Sequence, residues 1–144
     1  MIAIGSDNGG FELKAKIIEF LKEKNVEVKD YGCYNTDSID YPDVAKDVCQ
    51  AVVKNECERA ILVCGTGIGI SIAANKVRGI RAALCHSSFD AKMCRMHNDA
   101  NVLCLGGRTT GPEIALEIVN SYLSASFEGG RHAKRVEKIM SLED

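Results

Sequence analysis

The sequence predicts an α/β fold, a three-layer sandwich with a five-stranded parallel sheet between two layers of helices. Three observations predict it. Short apolar runs alternate with segments of helical period from one end of the chain to the other. Those runs number five. The cleanest, Ala60-Ile61-Leu62-Val63, is apolar at every position, as a strand covered on both faces must be. At 144 residues, 46% apolar and 26% charged, the chain has the length and balance of one globular domain spanning 1–144, which excludes disordered, collagen-like and coiled-coil classes.

Each element follows from its local pattern. Met1 to Gly5 reads as a buried strand, stopped at Gly5-Ser6-Asp7. Phe11, Leu13, Ile17, Ile18 and Leu21 then recur at near-helical spacing, with Lys14, Lys16, Glu19, Lys22 and Glu23 filling the other face. Val26 to Val28 is a short second strand. Tyr31 to Pro42 is polar, carries Gly32, Asn35, Asp37 and Asp40, and reads as a loop. Asp43 is placed to cap a helix through Val44, Val48, Ala51 and Val52. The third strand, Ala60 to Val63, precedes a helix over Ser71 to Val77 and a strand over Ile80 to Leu84. A helix over Ser88 to Met96, a strand over Asn101 to Leu105, a helix over Pro112 to Ser124 and a terminal helix over Arg131 to Met140 complete the chain.

Composition excludes several functions. Eighteen Lys and Arg against 20 Asp and Glu leave a net charge of −2, so no basic surplus draws the molecule to nucleic acid or to an anionic membrane. Met1 to Asp7 lacks the basic start of a signal peptide, and no apolar run approaches the ~20 residues that span a bilayer. A cytoplasmic protein is expected. The seven cysteines, at 33, 49, 57, 64, 85, 94 and 104, are odd in number and form no C-x-x-C pair, which argues against a disulfide framework. His86, His97 and His132 match no zinc spacing, so no metal is expected. Most of the thiols should be small hydrophobes, with Cys33, in its loop, the most exposed and oxidisable.

Ligands of parallel sheets bind beyond the carboxyl ends of the strands. That rule selects Asp7, Cys64-Gly65, His86 and Gly106-Gly107-Arg108 before any chemistry is considered. The strongest signal is Val63-Cys64-Gly65-Thr66-Gly67-Ile68-Gly69-Ile70-Ser71, in which three glycines at alternate positions let backbone N–H groups converge at a helix N-terminus. Ile70 stands where a dinucleotide fingerprint needs its third glycine, and also where a Cys-x5-Arg phosphatase loop needs its arginine. No Gly-Lys-Ser/Thr of a Walker A loop is present. What remains is a thiol at a strand end, a row of N–H donors and the Thr66 hydroxyl. A thiolate beside such donors can attack a carbonyl or remove a proton from the carbon next to one, and spacing alone leaves both open.

Taken together, the motifs resemble the type B ribose-5-phosphate isomerases, the family that includes the bacterial galactose-6-phosphate isomerase subunits. The resemblance rests on Gly5-Ser6-Asp7, Asp40-Tyr41-Pro42, the block from Cys64 to Lys76, Gly79-Ile80-Arg81-Ala82, His97-Asn98-Asp99, Gly106-Gly107-Arg108 and Glu128-Gly129-Gly130-Arg131-His132, which fall in the family's order along nearly the whole chain. It implies a Rossmann-like sheet with an extra C-terminal helix, about 130–141, that packs at a dimer interface. It also implies an aldose–ketose isomerase acting on a phosphorylated sugar, with neither metal nor cofactor, as a homodimer with shared active sites or a tetramer built from such dimers.

On this resemblance Cys64 is the base that moves a proton between C1 and C2, the amides from Gly65 through Gly67 and Ile68 to Gly69 hold the enediolate, and Thr66 shuttles hydroxyl protons. His97, beside Asn98, opens the sugar ring. Asp7, Asn8 and Tyr41 line the sugar site, and Arg108, Arg131 and Arg135 grip the phosphate. One position departs from the family pattern: Asn8 stands where a histidine is usual, and an amide can hydrogen-bond but cannot shuttle a proton. The sugar itself, ribose, allose or galactose phosphate, stays open. A non-catalytic sugar-phosphate-binding subunit is the alternative class, and a thiol phosphatase is a weaker one.

Overall fold

The computed structural model describes residues 1–34 and 37–144, so Asn35 of the expected loop lies outside the described residues. Strand β1 (Ile2–Ser6) leads through a single 3-10 turn (Asn8–Gly10) into helix α1 (Phe11–Glu23) and then β2 (Val28–Asp30). Helix α2 (Tyr41–Val53), β3 (Arg59–Cys64), α3 (Ile68–Ala74) and β4 (Ala82–Leu84) follow. Helix α4 (Ser88–Asn98), β5 (Val102–Gly106), α5 (Pro112–Ser124) and α6 (Arg131–Ser141) close the chain.

All strand pairs are parallel, in the order β2-β1-β3-β5-β4. Alternate side chains serve the two faces, as the pleat requires. Ile2, Ile4, Ile61, Val63, Leu103 and Leu105 pack with α1, α4 and α5. Ala3, Ala60, Leu62, Cys64, Val102 and Cys104 pack with α2 and α3. The three-layer expectation therefore holds, and each fully buried Ile or Leu contributes about 1.5–3 kcal/mol. Connections from β1 run outward to β2, whereas those from β3 run to the opposite edge. The order reverses between β1 and β3, and that crevice is where an open α/β sheet places its ligand.

Several boundaries differ from the sequence reading. The second strand lies two residues later than Val26 to Val28, because Val26 N–H donates to Leu21 O and still belongs to the turn closing α1. The helix expected behind an Asp43 cap begins at Tyr41, with Asp40 at the cap and Pro42 in the first turn, where its fixed φ suits a helix start and its missing N–H is no loss. Helix α3 starts at Ile68, three residues before Ser71, so it takes Gly69 into its first turn. Strand β4 begins at Ala82, not Ile80: the Asn75 side chain accepts from Ala82 N–H and donates to Ala82 O, while Asn101 Oδ1 takes the Arg81 N–H.

Cys33 is also corrected. It is buried, as are all seven cysteines, because the loop after β2 folds over Lys14. That lysine, 1% exposed, donates to both Asp30 carboxylate oxygens at 2.8 and 3.0 Å and to Cys33 O. A buried ammonium left without such partners would be strongly destabilising, so the pair fixes the loop beneath the sheet edge.

Candidate active site

Cys64 is the last residue of β3, paired in register with Gly106 of β5, and it is buried against the α2–α3 layer. Gly67, at φ +77°, turns the chain sharply and aims its own N–H at Cys64 Sγ, 3.1 Å away. A side chain at 67 would be strained by that φ, and its Cβ would sit 2.5 Å from Leu84 Cδ1. One residue earlier, the Thr66 hydroxyl accepts the Ile68 N–H at 3.2 Å, which leaves its own proton directed elsewhere. Thr66 and Ile68 are exposed, so the loop presents a hydroxyl and a backbone ridge to solvent beside a buried thiol.

Neighbouring elements close on this loop at glycines. A Cβ on Gly69 would meet the Tyr41 ring at 2.5 Å, so the start of α2 lies directly against the first turn of α3. The Arg108 side chain crosses over Gly65, whose Cβ would be 3.5–3.6 Å from its Cδ, Nε and Nη1. Arg108 N–H donates to Gly65 O, and Gly107 N–H to Cys64 O, both at 2.8 Å, locking the β5 loop to the β3 loop. From the other side Asp7 follows β1, its N–H donating to Val63 O at 3.2 Å and its carboxylate accepting from Gly10 N–H at 3.1 Å. Asn8 is exposed next to it. The structure thus gathers Asp7, Asn8, Tyr41, Cys64 to Gly69 and Arg108 at the crevice between β1 and β3. His86, at the end of β4, is exposed at the far edge strand.

The remaining expected residues stand elsewhere. Helix α4 starts at the carboxyl end of β4 and returns the chain to the amino end of β5, so His97 and Asn98, in its last turn, lie at the amino edge of the sheet. With six residues in β3 at ~3.3 Å each, that edge is roughly 20 Å from Cys64. The end of α4 is firmly held: Arg95 Nη1 donates to Asp99 Oδ1 at 2.8 Å and to Ala100 O at 2.9 Å, and the Tyr122 hydroxyl donates to the same carbonyl at 2.9 Å.

Helix α6 comes back to this edge after Gly129 and Gly130, both at positive φ. Glu128 N–H donates to Met96 O at 3.0 Å, which pins the turn to α4. His132 is buried and stacks flat on His97, with ring centroids 4.1 Å apart and planes within 11°. Glu128 Oε2 lies 3.5 Å from His132 Nε2 and 4.0 Å from His97 Nε2. Burial, then the neighbouring His97 imidazole and the Arg131 cation, push the His132 pKa down against the opposing Glu128 carboxylate. Arg131 and Arg135 are exposed one helical turn apart, and among the described residues neither has an acidic partner. A groove of about 790 Å³ runs beside this edge, between α6 and the segment from Asn75 to Ala83.

Sequence reasoning missed Glu128 and His132 as neighbours of His97. The signal was spread over 36 positions, and only the return of α6 onto α4 brings it together. Although His97 and His132 match no zinc spacing in the sequence, ligand atoms of His97, Glu128 and His132 lie within 4.8 Å of one another in the fold.

A doubly wound parallel sheet with a thiol, a hydroxyl and backbone amides gathered at its switch point is the architecture of a small α/β enzyme. The chain belongs to the ribose/galactose isomerase family, whose model matches residues 2–139, and it is an isomerase. It is 49% identical to ribose-5-phosphate isomerase B of Escherichia coli (strain K12), over 99% of this chain and 95% of that one. It is 48% identical to D-erythrulose-4-phosphate isomerase of Pectobacterium atrosepticum, over 96% and 91% respectively. A solved structure of ribose-5-phosphate isomerase B from Clostridium thermocellum superposes with a TM-score of 0.97 at 56% identity, covering 99% of this chain and 96% of that one. No helix among the described residues is long and apolar enough to cross a membrane.

Proposed function

We propose that the protein interconverts ribose 5-phosphate and ribulose 5-phosphate through an enediolate, with Cys64 as the base. The observation that carries this reading is the Gly67 N–H aimed at Cys64 Sγ in the crevice between β1 and β3. Such a donor is complementary to a thiolate, and the sulfur belongs to the last residue of β3, at the carboxyl end of the sheet. The thiolate takes the proton from C2 of the open-chain aldose. The electron pair moves to the C1 oxygen, and the developing oxyanion is held by the amides of Gly65 to Gly69, with Ile68 N–H exchanging its Thr66 hydroxyl partner for the oxyanion. Return of the proton to C1, with Thr66 relaying hydroxyl protons, completes the ketose. Asp7, Asn8 and Tyr41 orient the sugar hydroxyls.

Ring opening and phosphate binding fall to the second cluster. His97 transfers the protons that open the furanose, with Asn98 beside it, and Arg131 and Arg135 share one helical face on which a phosphate dianion can bind bidentately together with Arg108. Because His97 and Cys64 stand at opposite edges of one sheet, a complete site takes one cluster from each of two chains. This supports a homodimer in which α6 packs at the interface. No metal or cofactor enters the scheme.

Incubation of the purified protein with ribose 5-phosphate, following ribulose 5-phosphate, tests this reading. Cys64→Ser should retain substrate binding and lose on the order of 100- to 10,000-fold in kcat. Near-normal turnover by that variant would remove Cys64 from the chemistry. The name of the Pectobacterium relative favours a second reading, a four-carbon sugar phosphate as preferred substrate, and comparison of kcat/KM on four-, five- and six-carbon phosphates separates the two.

A further inference from the structure

We infer that His97, His132 and Glu128 form a chelating site for a divalent transition ion of the zinc class, and that an ion bound there inhibits turnover by occupying His97. The site stands on geometry. Two imidazoles and one carboxylate are a ligand set zinc accepts, with a fourth position left for water. Ligand atoms around a tetrahedral zinc at ~2.1 Å lie about 3.4 Å from one another. Glu128 Oε2 and His132 Nε2 are already 3.5 Å apart, and Glu128 Oε2 and His97 Nε2 are 4.0 Å apart.

The rings are stacked within 11° of parallel, so the His97 imidazole must rotate out of its stack on His132 for both nitrogen lone pairs to meet one ion. The His97 and Glu128 side chains are 37% and 44% exposed, so both have room to turn, while His132 at 8% is the fixed member. Three separate elements bring the ligands together, namely the end of α4, the loop before α6 and the first turn of α6. The Glu128 N–H bond to Met96 O and the His132 N–H bond to Gly129 O, both 3.0 Å, hold these elements in place before any ion arrives. Arg131 and Arg135 on the same helix oppose a cation, so the site is an inhibitory one of modest affinity and not a resident metal centre.

The ion site is independent of the proposed reaction; only its inhibitory consequence rests on the assignment of His97 to turnover. Zn²⁺ alone is titrated into the tag-free protein by calorimetry, and Co²⁺ is used in parallel for its absorption spectrum. The expected result is one ion per chain, with a cobalt spectrum of nitrogen and oxygen ligands. Glu128→Gln should weaken binding by about tenfold or more, and His132→Gln should abolish it. Glu128 is exposed, so its variant keeps the test valid even where the buried His132 variant folds poorly. Unchanged affinity in Glu128→Gln would remove Glu128 from the ligand set, and a thiolate-to-cobalt charge-transfer band would put the ion on cysteine; either result overturns the site. With ribose 5-phosphate as substrate, Zn²⁺ at concentrations that fill the site should suppress turnover reversibly, with activity restored by a chelator. Stoichiometric binding without inhibition would confirm the site and remove His97 from the reaction.

Discussion

If each active site takes Cys64 from one chain and the α6 arginines from another, two inactive variants should repair each other. The first variant is Cys64→Ser. The second carries Arg131→Ala and Arg135→Ala, which remove two exposed cations one turn apart on α6 without touching the core. Each arginine contact to a phosphate dianion is worth about 1.5–3 kcal/mol, so the double variant should lose on the order of 100-fold or more in kcat/KM. Mixed in equal amounts after unfolding and reassembly, half of the dimers are heterodimers. Every heterodimer holds one site with both lesions and one with neither, so activity should return to about a quarter of the unmutated level. The structural premise is the ~20 Å run of β3 between the Cys64 edge and the His97 edge, which a substrate of sugar size cannot span within one chain. The assay is ribulose 5-phosphate formation, with heterodimers demonstrated by native mass spectrometry. Demonstrated heterodimers without recovered activity would mean that base and phosphate clamp act within one chain.

Other consequences can be checked directly. Gly67→Ala forces a side chain into φ +77° and within 2.5 Å of Leu84 Cδ1, and should cost about 2 kcal/mol or more of stability by chemical denaturation along with most activity. Gly111→Ala, where a Cβ meets nothing within 4 Å, should stay within about 1 kcal/mol of the parent. His97→Asn should slow turnover of cyclic substrate far more than turnover of an open-chain analogue; equal losses would assign His97 another role. Burial pushes the Cys49 pKa up to about 12, so iodoacetamide should label Cys49 only after denaturation. Because an unfolded thiol ionises first, the Cys49 contribution to stability is present below the ordinary thiol range and fades as pH rises towards about 12, which equilibrium unfolding at increasing pH would show.

The fold was legible wherever a run of apolar residues had one interpretation. Ala60 to Val63 could only be a doubly covered strand, and Phe11 to Leu21 only an amphipathic helix. Legibility failed where side chains far apart in sequence decide the local geometry. Asn75 sets the start of β4 at Ala82 and Lys14 draws the Cys33 loop inward; α2, by contrast, starts at Tyr41 for a local reason, Pro42 in its first turn. The glycine loop was readable as a donor-lined turn, but its contact to the thiol, Gly67 N–H to the sulfur, depends on a left-handed backbone that spacing does not reveal. The histidine–glutamate cluster was invisible for a plainer reason: its members belong to two helices and a loop that meet only in the folded chain.

The central claim is that Cys64 moves a carbon-bound proton at the crevice between β1 and β3. It is tested most directly by running the reaction in deuterium oxide and measuring deuterium at C1 of ribulose 5-phosphate and at C2 of recovered ribose 5-phosphate. The account predicts deuterium incorporation by the unmutated protein, and its loss with Cys64→Ser even while the variant still binds the sugar phosphate. Unabated exchange by the serine variant would contradict it.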